Sequence, residues 1–135
     1  MAIDSAPSIH RVLVEWLSPL GKVSTRRVAN DPLPHRVVRR VDGVDAPEVA
    51  QDVAVVSVHT FAAGDAAADV EAGLTHQRMV EMALNPLTLI TLPGGVLVTI
   101  DYCRSLMAPI PVEYSDDPHV VRYVGRYEVG LPYLS

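Results

Sequence analysis

The sequence predicts an α+β domain: a mostly antiparallel β-sheet with two helices packed on it. Three observations lead there. The run Asp52-Val-Ala-Val-Val-Ser-Val-His-Thr-Phe61 carries apolar residues on both parities, as a covered strand does, and it feeds an Ala-rich stretch that reads as helix to about Leu84. Ile9, Val12, Leu13, Trp16 and Leu17 recur at helical spacing. The segment from Val121 to Gly130 alternates, with Val121, Tyr123, Tyr127 and Val129 on one face and Arg122, Arg126 and Glu128 on the other. At 135 residues the chain is expected to form one domain, 1–135, around one core.

Taken in order, Ser8 is positioned to cap the first helix and Ser18-Pro19 to end it. Lys22 to Arg27 and Arg36 to Asp42 read as two strands, joined by the proline-rich loop from Asn30 to His35. Gly43 and Pro47 punctuate the approach to the central strand. The second helix is predicted to start with Asp65 as N-cap and to stop at Asn85-Pro86, burying a stripe of Val70, Leu74, Val80 and Leu84 with Met79 and Met82 alongside. Leu87 to Leu92 and Val96 to Cys103 flank Pro93-Gly-Gly95 and form a hairpin. The chain then reads as irregular from Leu106 through Val112 and the acidic turn at Asp116-Asp117-Pro118, before the final strand.

Composition narrows the function. With 49% hydrophobic and 20% charged residues the chain is an ordinary globular sequence. A net charge of −5 opposes long-range attraction to nucleic acid, and the pairs Arg26-Arg27 and Arg39-Arg40 have no interleaved aromatic residues to stack bases. The first five residues lack the basic and apolar regions of a secretion signal, and no apolar run approaches the ~20 residues of a membrane helix, so an unexported protein is expected. The single cysteine, Cys103, falls on a strand as a small hydrophobe, consistent with a reducing cytosol.

Catalytic motifs are absent. The turn Phe61-Ala-Ala-Gly-Asp65 has one glycine and no phosphate-binding pattern, and no Gly-x-Ser-x-Gly elbow occurs. His10, His35, His59, His76 and His119 are scattered without metal-ligand spacing. His59 reads as a hydrogen-bonded core residue, and Asp116, Asp117 and His119 as a turn. Large apolar residues in segments that read as loops or tails, namely Leu33, Leu106, Met107, Ile110 and Leu131 to Leu134, point to contact surfaces.

In the order of its elements, in the Asp52 to Phe61 run, in the helix containing His76-Gln-Arg-Met79 and in the closing Val121-Arg-Tyr-Val-Gly-Arg-Tyr-Glu-Val-Gly130, the chain resembles the tail terminator (tail-completion) proteins of long-tailed siphophages of actinobacterial hosts. The resemblance covers nearly the whole chain. It implies a virion protein, assembled in the host cytoplasm, that forms a hexameric ring at the head-proximal end of the tail tube. The ring stops tube polymerisation and offers a docking surface to the head's connector, while DNA passes through without specific binding. The resemblance implies no cofactor, no metal, no membrane and no catalysis. Partners would be further copies of the chain, the tail tube protein and the head-to-tail connector. The residues expected at subunit or partner contacts are Arg26, Arg27, Leu33, Arg39, Arg40, Leu106, Met107, Ile110 and Tyr133, with the arginines forming salt bridges between subunits. Two other readings stand beside it: another neck or tail component, such as a head-closure or tube protein, and a small cytosolic enzyme or ligand-binding domain using His59 and the Asp116, Asp117, His119 loop.

Overall fold

The computed structural model describes residues 6–28, 30–85, 88–114 and 116–133; the predictions made for the first five residues, for Pro86, Leu87 and Leu134 lie outside them. The elements are α1 (Ile9–Leu17), β1 (Lys22–Ser24), β2 (His35–Ala46), β3 (Gln51–Ala63), α2 (Asp65–Leu84), β4 (Leu89–Thr91), β5 (Leu97–Thr99), β6 (Tyr102–Val112) and β7 (Val120–Pro132). Five strands form one sheet in the order β1-β2-β3-β7-β6, and β4 and β5 pair separately. Only the β1–β2 pair is parallel. The chain is thus α+β, with a mostly antiparallel sheet against two helices.

The core lies between the helices and one face of the sheet. Even-numbered residues of β3, Ala54, Val56 and Val58, meet Tyr127, Val129 and Leu131 of β7 there, under Val12, Leu13 and Leu17 of α1 and Met79 and Met82 of α2. The β4–β5 hairpin closes the end of this layer with Ile90 and Val98, its turn held by hydrogen bonds from Leu92 N to Val96 O and from Gly95 N to Leu92 O. Each such aliphatic side chain contributes roughly 1.5–3 kcal/mol on leaving water. The period-2 pattern fixes which face is inward, since a slip of one residue would turn every one of these groups outward.

The structure corrects five expectations. First, β3 is covered fully on one side only. On its other face Val53, Val55 and His59 are half-buried, and cover is confined to a small cluster of Val37, Phe61 and Val120 beneath Leu33 and Tyr114. Second, the buried face of α2 is Ala68, Ala72, Thr75, Met79 and Met82, while Val70 and Leu84 are 63% and 78% exposed. The small residues Ala68, Ala72 and Thr75 allow the first half of the helix to approach the sheet closely, while Met79 and Met82 fill the core in the second half. Third, α2 begins one residue earlier than expected, with Gly64 as N-cap at φ 92° and Asp65 inside the first turn, where its charge still suits the helix dipole.

Fourth, the stretch from Leu106 to Val112 is regular. It belongs to β6, paired with β7 through two register shifts, between Ser105 and Met107 and between Met107 and Ile110. Pro109 and Pro111 are tolerated because β6 is an edge strand, where a missing N–H costs no ladder bond on the outer side. Fifth, the strand expected from Lys22 to Arg27 ends at Ser24 and runs parallel to β2. The loop that follows crosses the open face of the sheet, with Leu33 packed on the Val37, Phe61, Val120 cluster, before β2 begins.

Candidate functional site

The open face of the sheet carries a cationic basin. Its floor follows from strand register. Arg39, Ser57 and Arg126 form one cross-strand row, Val37, His59 and Val124 the next, and His35, Phe61 and Arg122 the third. Residues directly opposite in antiparallel strands share a face, so the rows place Arg39, His59 and Arg122 on the side away from the helices. The loop after β1 adds Arg26 and Arg27 to the rim, and the loop after β6 adds Tyr114 and Asp116. Together they enclose a cavity of about 420 Å³.

Two of these arginines are held by the fold. Arg27 donates from Nη1 to the carbonyl of Asp31 at 3.2 Å and lies 5.3 Å above the Phe61 ring, and its Nη1 is 3.2 Å from His35 Nδ1. Arg122 donates from Nη2 to the carbonyl of Glu113 at 2.8 Å and lies 5.7 Å from the Tyr114 ring. The Nε–H groups of both are buried without a hydrogen-bond partner among the described residues. Arg26 and Arg39 are exposed, and neither side chain has an ion-pair partner among the described residues. Asp116 is the one carboxylate on the cavity wall.

His59 sits on this floor, not in the core. Its Nε2 is 3.1 Å from Ser57 Oγ and its ring stacks on Phe61 at a centroid distance of 6.3 Å. Burial lowers its pKa to about 4, assisted by the positive charges of Arg122, Arg39 and Arg126, so the imidazole is neutral at pH 7. No carboxylate hydrogen-bonds the ring among the described residues, so the Ser57–His59 contact lacks the third group that orients a general base. Asp117 spends an oxygen on the backbone N–H of His119 at 2.9 Å, as a turn residue does, and only Asp116 of that cluster reaches the basin. Cys103 is buried, and desolvation pushes its thiol up to about 12. The arrangement suits binding of carboxylate or phosphate groups by planar guanidinium forks and, among the described residues, supplies no activated nucleophile.

The other residues expected at contacts fall into several settings, and Leu131, expected on a contact surface, is instead fully buried in the core as part of β7. Arg40 binds the Asp52 carboxylate with both Nη atoms, at 2.6 and 2.8 Å, within one chain. Leu33 covers the small outer cluster. Leu106 and Ile110 on β6 are 45% and 47% exposed, with Met107 half-buried between them. Tyr133 donates its hydroxyl to Asp45, which raises the phenol pKa to about 12.

Sequence reasoning missed two residues. Arg122 was read as part of a solvated face, which Arg126 is, and alternation gave no sign that the segment carrying Glu113 and Tyr114 folds back over it. Arg36 is fully buried, donating from Nε to Thr75 Oγ1 at 2.8 Å and to the carbonyls of Leu20 and Glu71 at 3.0 Å each. Its shared parity with Val38 was the available signal.

Among the described residues no group of three or more His, Cys, Asp or Glu side chains is arranged to hold a metal ion, and no helix is long and apolar enough to cross a membrane. No protein-family model and no curated protein matches the sequence.

Proposed function

We propose that this chain is a structural virion protein of the tail terminator type, which assembles as a ring on the head-proximal end of a phage tail tube, halts its growth and receives the head's connector. The observation that carries the reading is β6. It is an 11-residue strand at the sheet edge, with no strand paired along its outer side among the described residues and with Leu106 and Ile110 about half exposed on it. Native proteins cover or blunt such an edge, and a repeated neighbour covers it in a ring. The second open edge is β2 beyond Val37, where β1 has ended and, among the described residues, no strand replaces it, although the Arg40 N–H donates to His10 Nε2 at 3.1 Å. Two different open edges on one subunit suit a heterologous contact that repeats until it closes.

A growing tube exposes the same surface after every added ring, so its length is fixed only when a protein covers that end with a face the next ring cannot use. Removing the protein from an infection is expected to leave heads that package DNA, and tails that overgrow or fail to join heads. Electron micrographs showing normal-length tails on full heads in its absence would refute the reading. The double substitution Leu106→Asp, Ile110→Asp is expected to leave the isolated chain folded and to reduce its incorporation into particles.

The basin favours one other reading, a small ligand-binding domain for an anionic molecule. Its mark is binding of such a molecule by the single chain, with no need for assembly.

A further inference from the structure

The end of the β2–β3 hairpin has the opposite chemistry to the basin. Residues 41–50 are exposed or half-exposed, and they carry Asp42, Asp45 and Glu48 beside Val44 and Val49, each of these two valines 66% exposed. The basin combines Arg26, Arg27, Arg39 and Arg122 with Val37 and Phe61. Acid-with-valine faces base-with-apolar. Among the described residues Tyr133 ties the tip to the end of β7, its hydroxyl bonding Asp45 and its N–H the carbonyl of Ala50, while Asp42 accepts from the N–H of Gly43.

From this complementarity we infer that the basin of one copy receives the acidic β2–β3 tip of a second copy, whose carboxylates satisfy the exposed Arg26 and Arg39 at the rim. The tip cannot fill its own basin. Val41 and Asp42 adjoin the basin, but Asp45 lies roughly 20 Å from Arg39 along β2, at about 3.3 Å per residue, and the hairpin pairs continuously between them apart from the bulge at Val41. The contact therefore joins two different patches on separate molecules, the kind that repeats from copy to copy. The chain as a whole is at −5 while four arginines gather in the basin, so its remaining surface is more acidic than average. Polyanions are repelled at long range, and a short carboxylate-bearing segment is seated locally. The inference deepens the ring reading and rests on it for the step from one contact to a closed assembly.

The test is sedimentation of the full chain and of two variants. The basin variant is Arg26→Glu, Arg39→Glu, and the tip variant is Asp45→Lys, Glu48→Lys; all four positions are exposed, and circular dichroism checks that each variant folds. Wild type is expected to associate weakly and to dissociate at ~1 M salt, where the Debye length is about 3 Å. Each variant alone is expected to be monomeric. An equimolar mixture is expected to regain association, because the native tip of one meets the native basin of the other. Association unchanged in either variant overturns the inference and leaves the terminator reading standing. A wild-type chain that stays monomeric at its solubility limit overturns it as well, as does a monomer that binds inorganic phosphate or a short single-stranded oligonucleotide through Arg39. A reciprocal dimer that needs both patches supports the contact and removes the ring.

Discussion

Arg40 and Asp52 are joined by two parallel hydrogen bonds, of 2.6 and 2.8 Å, across the start of the β2–β3 arm, with the carboxylate 9% and the guanidinium 31% exposed. The pair sits at the bulge where β2 shifts register between Arg40 and Asp42, and it raises the Arg40 pKa, chiefly through the hydrogen bonds to Asp52. Its neighbour Arg39 points to the opposite face and has no such partner. Two adjacent arginines in the sequence thus do different things, one fixing the arm and the other lining the basin.

This separates the effects of their substitution. Asp52→Ala is expected to destabilise the fold by about 1–3 kcal/mol, because it strands a half-buried guanidinium. Arg39→Ala is expected to change stability by no more than about 0.5 kcal/mol, the usual range for a surface site. Urea unfolding of the two variants measures both, and equal losses would contradict the assignment.

Arg36 is the most deeply buried charge. Desolvation lowers its pKa, opposed by the Glu71 carboxylate, which lies 3.6 Å away. Arg36→Ala removes three hydrogen bonds and opens a cavity against α2, for an expected loss of about 3–5 kcal/mol. Thr75→Ala, which removes one partner of the guanidinium and the Thr60 contact at 2.8 Å, is expected to cost less. Denaturant midpoints of the two variants give the order.

Stability should fall as pH drops from about 6.5 to about 4. His59 has a folded pKa of about 4 against 6.5 in the unfolded chain, so the unfolded chain binds more protons in this window. The contribution is fully present above 6.5 and is lost on acidification towards 4. Burial also lowers the His35 pKa, which adds a slope of the same sign. His59→Gln is expected to flatten the difference in melting temperature between pH 7 and pH 5 relative to wild type. An unchanged slope would show that carboxylates and His35 account for all of it.

Cys103 should be inert in the native chain. A thiol pushed up to about 12 by burial is protonated at pH 8 and shielded from reagent. A chromogenic disulfide is expected to react with it only after denaturant is added, at the rate of unfolding. Immediate reaction would mean that this end of β6 opens readily.

The α1 stripe, the alternation of β7, the apolar run of β3 and the Pro93-Gly-Gly95 turn were legible because each depends on contacts within a few residues or on a single buried face. The exposed apolar residues Leu106 and Ile110 were legible too, although the strand that carries them was not. Two prolines there argue for a loop until the position of β6 at a sheet edge is known.

By itself the sequence determined the α+β class, the inward parity of β7 and the absence of catalytic motifs, all of which follow from local pattern, whereas apolar residues on both parities of β3 did not tell its inward face. Tertiary structure alone decided which face of α2 is buried, because closeness of approach selected Ala68, Ala72 and Thr75 over larger Val70 and Leu74. It also decided the basin, by bringing Arg26 and Arg27 over strands that carry Arg39 and Arg122. Those charges lie up to most of the chain apart in sequence, and only sheet register and a returning loop set the distance between them.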